Sequence, residues 1–201
     1  MATIHIIDRQ TIPGTQYPLQ TIRFQKPGLE GQLHEQKNEI YFRPDAVAVL
    51  LADHTNKQII FTRQFRLPTF LNGNDSGYLL ETCAGLIDDG ETPEQAAHRE
   101  VGEETGYPIS ELMKIGAVYS SAGGITEYLH LFIASCDCKA QHGKGGGKAG
   151  EGEDIELVQL SFVEAREKLM TGGFRDAKTM ILLQHYFLTQ GSDSKNTLNG
   201  R

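Results

Sequence analysis

The hydrophobic pattern changes period along the chain, and the changes mark its elements. Residues 1–43 alternate apolar and polar positions. Ile4-His5-Ile6-Ile7, Gln20-Thr21-Ile22-Arg23-Phe24 and Glu39-Ile40-Tyr41-Phe42 read as strands, interrupted at Pro13-Gly14 and Pro27-Gly28, where turn chemistry breaks the run. Residues 46–51 form an unbroken apolar run, the mark of a buried strand. Stretches 58–66 and 78–83 read as further strands, with a turn at His54-Thr55-Asn56 and a loop over 71–77. Beyond one central helix, strands 112–119 and 128–134 flank a tight loop at 120–127. Residues 154–160 form a last strand, and 162–170 and 177–189 carry helical apolar spacing.

Strands, one helix, more strands and then helices predict an α/β fold with a mixed sheet between helices. The expected organisation is a small β region over 1–43, a main domain over 44–190 and a polar, disordered tail over 191–201. A few strands in about 40 residues are marginal alone, so the first region is expected to pack on the rest or on a second subunit. The Gly- and Lys-rich stretch 142–152 is expected to be mobile. It is not a P-loop, because Lys148 stands where the second glycine is required.

The chain is organised around residues 85–107. Thr92-Pro93-Glu94-Gln95 is a strong helix start: Thr92 can cap, Pro93 suits the first turn, and Gln95 can close a capping box. The helix that follows carries Glu100, Glu103 and Glu104 on one face. Like charges at this spacing repel. Arg99 can offset part of the repulsion through Glu103, and a bound divalent cation would offset more. Oxygen donors select Mg²⁺ or Mn²⁺ over zinc. Taken alone, the same three glutamates also fit a solvated acidic surface.

Composition narrows the classes. The 201 residues are 39% apolar, enough for a core, and carry a net charge of −7. An acidic chain is a poor partner for nucleic acid or an anionic membrane. Cys83, Cys136 and Cys138 fit no disulfide framework and suit a reducing cytoplasm. Cys136 and Cys138 with His142 lack the usual zinc spacing. The N-terminal residues show neither a signal-peptide pattern nor a membrane span.

The stretch 85–107 reads G-x5-E-x7-R-E-U-x-E-E-x-G-U, with U bulky and apolar. Gly85, Glu91, Arg99, Glu100, Val101, Glu103, Glu104, Gly106 and Tyr107 fill the specified places. This pattern resembles the Nudix box, the signature of hydrolases of nucleoside diphosphates linked to another group. Tyr107 departs mildly from it, since that place is more often aliphatic. The resemblance implies the Nudix α/β/α sandwich. It also implies Glu100 and Glu104 as metal ligands with the Ala84 carbonyl, and Glu103 ligating or orienting. Arg99 would hold a glutamate in place, and Glu91 would support the loop before the helix. A late acidic residue, Glu153 first and Glu151 second, would complete the metal site or act as base. Glu153, Glu151, Glu103 and Arg99 are thus the candidate catalytic set.

Segments outside the box sharpen the branch. Thr62-Arg63-Gln64-Phe65-Arg66, Asn72 to Gly77, Glu81 to Leu86, Gly123 to Glu127, Glu153 to Glu156 and Arg175 to Thr179 resemble the GDP-mannose pyrophosphatases of the Nudix superfamily over nearly residues 15–188. That likeness implies a homodimer with exchanged N-terminal regions. Tyr17, Lys37, Asn38 and Glu39 would reach the partner's substrate. Arg66 would contact the diphosphate, with Gly85, Leu86, Glu127, Lys178 and Thr179 at the same pocket. The implied reaction is Mg²⁺-dependent hydrolysis of a nucleoside diphosphate sugar to a nucleoside monophosphate and a sugar 1-phosphate. GDP-mannose is the leading substrate, and ADP-ribose or a broader set of sugar nucleotides the alternative. A non-catalytic sugar-nucleotide sensor is the third reading, disfavoured because every box glutamate is present. Ala122 stands where the family loop often has proline, which bears on substrate ranking.

Overall fold

The computed structural model describes residues 4–147 and 154–193. The chain divides into two compact units. One holds the chain up to Asp45 together with Val118–Leu129, and the other holds Ala46–Ala117 and the chain from His130. The first unit is therefore not confined to the N-terminal stretch.

In the first unit, β1 (His5–Ile12), β2 (Leu19–Pro27) and β3 (Leu33–Tyr41) form a three-stranded sheet in the order β1-β2-β3. Both pairs are antiparallel. The strands run longer than the apolar pattern suggests. In β3 the segment from Leu33 to Glu39 is exposed throughout, so no buried face imposes an alternation that could be read. Ile22 is the buried apolar side chain of this sheet. The segment around Gly124 joins it: Tyr41 N–H donates to the Gly124 carbonyl (2.8 Å) and Thr126 N–H to the Tyr41 carbonyl (3.2 Å).

The second sheet has seven strands. β10 (Glu156–Ser161), β5 (Gln58–Phe65), β4 (Ala46–Asp53), β9 (Tyr128–Cys136) and β8 (Ile109–Tyr119) follow in that order, with β6 (Tyr78–Glu81) on β5 and β7 (Cys83–Leu86) on β4. Every residue of β4 is buried, as expected of a strand covered on both faces. Val47, Val49 and Leu51 pack with Ala96, Ala97 and Val101 of helix α2 (Pro93–Thr105). Helix α4 (Ala177–Asp193) also packs against β4. Helix α3 (Phe162–Met170) begins with a Ser161–Glu164 capping box and covers β10 and β5. The fold is thus of the α/β class the pattern predicts.

Three details differ from the sequence reading. The stretch 78–83 is two strands, because Thr82 breaks the ladder and gives its N–H to Thr179 Oγ1 (2.8 Å). A one-turn helix, α1 (Leu67–Leu71), precedes the loop; it has Pro68 in its first turn and no buried residue, hence no amphipathic signal. Helix α4 continues to Asp193, past Gly191, where the sequence reading begins the tail. Among the described residues no helix is long and apolar enough to cross a membrane.

Candidate active site

The site is built where β7 meets α2. The helix starts as its sequence dictates: Thr92 Oγ1 accepts from Gln95 N–H (3.2 Å), and Gln95 Oε1 accepts from Thr92 N–H (2.8 Å). It ends at Gly106, whose φ of 69° is left-handed, a conformation that favours glycine. These two stops fix which residues of α2 face β7.

Arg99 gathers the acidic face. Its Nε and Nη2 each lie 2.8 Å from one oxygen of Glu91. Nη2 also donates to the Leu86 carbonyl at 2.8 Å. Nη1 donates to Glu100 Oε1 (2.6 Å) and Glu103 Oε2 (3.2 Å). Glu91 in turn accepts from Asp88 N–H (3.1 Å) and so closes the loop before the helix. The bonds it donates to Glu91, opposed by burial and reinforced by Glu100, raise the Arg99 pKa further above its usual range. The guanidinium is a permanent cation inside a ring of carboxylates, which offsets their mutual repulsion.

Glu104 and Glu100 lie against β7. Glu104 is buried, and its Oε2 accepts from Ala84 N–H (3.2 Å). Burial and the neighbouring charge of Glu104 push the Cys83 thiol well up. A Cβ built on Gly85 would fall 2.0 Å from Glu100 Cδ. Only glycine lets the main chain pass this close to the carboxylate. Glu100, Glu104 and the Ala84 backbone are therefore assembled at one place, with Glu103 half-buried beside them. Their oxygen-only chemistry fits a hard divalent cation. Among the described residues no three His, Cys, Asp or Glu side chains are already arranged around a common metal position; Glu100 and Glu103 are turned to Arg99. Glu151 and Glu153 lie outside the described residues.

A second network adjoins this face, and it includes a residue to which the sequence reading assigns no role. Glu81, at the end of β6, is 2% exposed. Its Oε1 accepts from Arg66 Nε (2.7 Å) and its Oε2 from Arg66 Nη2 (3.2 Å). Lys178 Nζ donates to Glu81 Oε2 as well, and to Asp176 Oδ1 at 2.9 Å. Burial alone would raise the Glu81 pKa; the Arg66 bond and the Lys178 charge outweigh it and leave it lowered. Arg66 feels the charges of Glu104 and Asp176 too. Asp176 caps α4, accepting from Thr179 N–H (3.0 Å) and Thr179 Oγ1 (2.5 Å). Thr179 is fully buried, and its hydroxyl also receives the Thr82 N–H. The signal for Glu81 was available: one charge in the run Tyr78-Leu79-Leu80-Glu81-Thr82-Cys83 must be paired if the strand is buried.

The glycine-rich loop corrects another expectation. Its described part, 142–147, is docked on the C-terminal end of α2. Gly146 N–H donates to the Glu104 carbonyl (2.8 Å), Gly147 N–H to the Glu103 carbonyl (3.3 Å) and His142 N–H to the Gly106 carbonyl (2.9 Å). Gln141 Nε2 adds a bond to the Thr105 carbonyl (2.9 Å). The helix's last carbonyls, which lack intrahelical partners, are thus satisfied by main-chain donors. Gly145, Gly146 and Gly147 all have positive φ, which is why the run is glycine. Cys136 and Cys138 are pushed up to about 12 by burial and the nearby charge of Asp53, so they remain thiols.

The remaining candidates belong to the first unit. Glu127 Oε2 lies 3.3 Å from Arg43 Nε. The Arg43 guanidinium sits over the Tyr17 ring, 5.1 Å from its centroid, and Tyr17 meets Tyr41 edge-on. Lys37, Asn38 and Glu39 are exposed on β3, opposite Arg23, Ile22 and Thr21 of β2.

Comparison with known proteins adds names to this geometry. The NUDIX domain family matches residues 42–183. The GDP-mannose pyrophosphatase of Cronobacter sakazakii is 41% identical over 182 residues, covering 90% of this chain and 94% of that protein. Its counterpart in Escherichia coli O139:H28 is 39% identical with the same coverage. A crystal structure of an ADP compounds hydrolase superposes with a TM-score of 0.68, covering 94% of this chain and 96% of the other at 18% identity, which is a likeness of fold.

Proposed function

The chain belongs to the Nudix family, and on that premise we propose that it is a Mg²⁺-dependent pyrophosphatase acting on a nucleoside diphosphate sugar. One water is added across a phosphoanhydride bridge, and the products are a nucleoside monophosphate and a sugar 1-phosphate. The observation that carries this reading is the junction of two networks of opposite purpose. The carboxylates of Glu100 and Glu104 meet β7 at Gly85 and Ala84, and the cations Arg66 and Lys178 adjoin them on Glu81. A diphosphate ester needs both.

Nudix hydrolases generally use a divalent metal. Glu100, Glu104 and the Ala84 carbonyl would hold Mg²⁺, or Mn²⁺ in its place. The ion would screen phosphoryl oxygens and lower the pKa of a bound water. Arg99 keeps Glu100 and Glu103 in register with β7. Arg66 and Lys178 bind and orient the diphosphate, and Gly85 and Leu86 let the main chain approach it. Glu153, with Glu151 second, takes the proton of the attacking water.

In this reading the enzyme is a cytoplasmic homodimer that exchanges the β region 1–43, and neither nucleic acid nor membrane is a partner. Tyr17 stacks on the base, and Lys37, Asn38 and Glu39 reach the partner's substrate. The near absence of a core within β1–β3 supports an oligomeric role for that sheet. Glu127 contacts the sugar. GDP-mannose is favoured because the relatives near 40% identity carry that name; ADP-ribose is second.

Product analysis with Mg²⁺ across GDP-mannose, ADP-ribose, other sugar nucleotides and dinucleotides at equal concentration tests the proposal. The expected result is mannose 1-phosphate and GMP formed fastest. An ADP-ribose lead would move the assignment and point to the Ala122 loop. No turnover of any substrate would refute it in favour of a sensor.

A further inference from the structure

We propose that Glu81 is a positioning residue for the diphosphate: one buried carboxylate fixes Arg66 and Lys178 at a single spacing. The proposal rests on the reading of Arg66 and Lys178 as phosphate contacts.

The two cations come from different parts of the chain. Arg66 follows β5 and caps α1, while Lys178 lies in the first turn of α4. Nothing local sets their separation, and two cations of like charge repel. Glu81 joins them, because its Oε2 accepts from both Arg66 Nη2 and Lys178 Nζ while its Oε1 takes Arg66 Nε. The guanidinium plane is therefore fixed by a two-point fork. Asp176 takes a second proton of Lys178 at 2.9 Å, and the same carboxylate caps α4. Two carboxylates balance two cations.

Donors are left over. Arg66 Nη1 makes no hydrogen bond to a described residue, and an ammonium has three protons, of which two are engaged. The Arg66 side chain is 39% exposed although Glu81 is 3% exposed at its side chain. The carboxylate is thus hidden and the guanidinium reaches out over it. Stability alone is a weak reason to bury such a set, since buried ion pairs are often replaceable by apolar groups without loss. Glu81 is also a poor proton acceptor, with both oxygens engaged by cations and a lowered pKa. Orientation of the two cations is the role that remains.

Steady-state kinetics with GDP-mannose and Mg²⁺ on Glu81→Gln, Glu81→Asp, Arg66→Ala and Arg66→Ala/Glu81→Gln test this. A charge-assisted hydrogen bond is worth about tenfold or more in binding. Glu81→Gln is isosteric but cannot hold both cations, so KM should rise about tenfold while the Mg²⁺ concentration for half-activation stays the same. Glu81→Asp keeps the charge at a shorter reach and should raise KM about threefold. The double variant should lose clearly less than the product of the single effects, because part of the Glu81 effect passes through Arg66. A wild-type KM in either Glu81 variant, with only the melting temperature lowered, overturns the proposal, as do fully multiplicative effects where Arg66→Ala by itself raises KM. A normal KM in Arg66→Ala would instead remove Arg66 from the proposed function. A raised KM in Glu81→Gln beside it would leave Glu81 acting through Lys178.

Discussion

A Cβ on Gly85 would lie 2.0 Å from Cδ of Glu100, so the main chain of β7 and this carboxylate fit together only while residue 85 has no side chain. Gly85→Ala is expected to push Glu100 off its place beside Arg99 and to leave the rest of α2 in register. Displacing a supporting contact of a metal ligand costs about ten- to a hundredfold in affinity or activity. Titration of Mn²⁺ followed by electron paramagnetic resonance checks this directly. Unchanged Mn²⁺ affinity in a folded Gly85→Ala protein would take Glu100 out of the metal site.

Glu104→Gln separates charge from hydrogen bonding. The amide oxygen can still accept from Ala84 N–H, the bond now made at 3.2 Å. What disappears is a buried negative charge. The melting temperature should hold or rise, because a buried charge is costly. Turnover should fall about a hundredfold or more, since the ion it is proposed to hold would supply several kcal/mol of charge stabilisation. Near-normal rates would remove Glu104 from the ligand set.

Asp53 gives a pH-dependent term away from the site. Burial would raise its pKa, but bonds from Asn56 N–H (2.8 Å), Asn56 Nδ2 (2.6 Å) and Cys138 N–H (2.8 Å) prevail and hold it well below the carboxylate range. A depressed folded pKa means stability that is complete above the unfolded value of about 3.9 and is lost as pH falls below it. Urea midpoints measured from about pH 6 down to about pH 3 should drop more steeply in the wild type than in Asp53→Asn. The variant should be about 1–3 kcal/mol less stable at neutral pH, because its amide cannot accept from all three donors. Parallel acid limbs would show that another group carries the titration.

The local parts of this site were legible and the long-range parts were not. Thr92, Gln95 and Gly106 act within a turn of their own positions, so the box helix and its ends follow from spacing. Arg99, Glu100 and Glu103 are likewise neighbours on one helix, and Glu91 lies just before its cap. Glu81 is different. Its partners lie 15 and 97 residues away, and a single charge in an apolar run says that a partner exists but not which. The split between β6 and β7 depends on Thr179, also 97 residues from Thr82. The docking of 142–147 on α2 rests on main-chain donors, which no side-chain pattern encodes. The exposed strand β3 lacked a buried face, and so lacked a period.

The proposed exchange of the N-terminal region gives the last test. The sheet β1–β3 buries only Ile22 among its described apolar side chains, and Ile6, Ile7, Ile12 and Leu33 are exposed. A three-stranded sheet with so little core is marginal without a partner surface. Removing residues 1–43 should convert a dimer to a monomer by light scattering and raise KM in the same step. Deletion also strips Val118–Leu129 of the strands with which it forms one compact unit, so a loss of activity could come from that loop. Tyr17→Ala and Lys37→Ala in the full chain resolve this. Each should keep the dimer and raise KM several-fold, Tyr17 through a stacked base worth about 1–3 kcal/mol. A fully active monomer, or dimers of both point variants with wild-type KM, would show that the N-terminal strands do not reach the pocket.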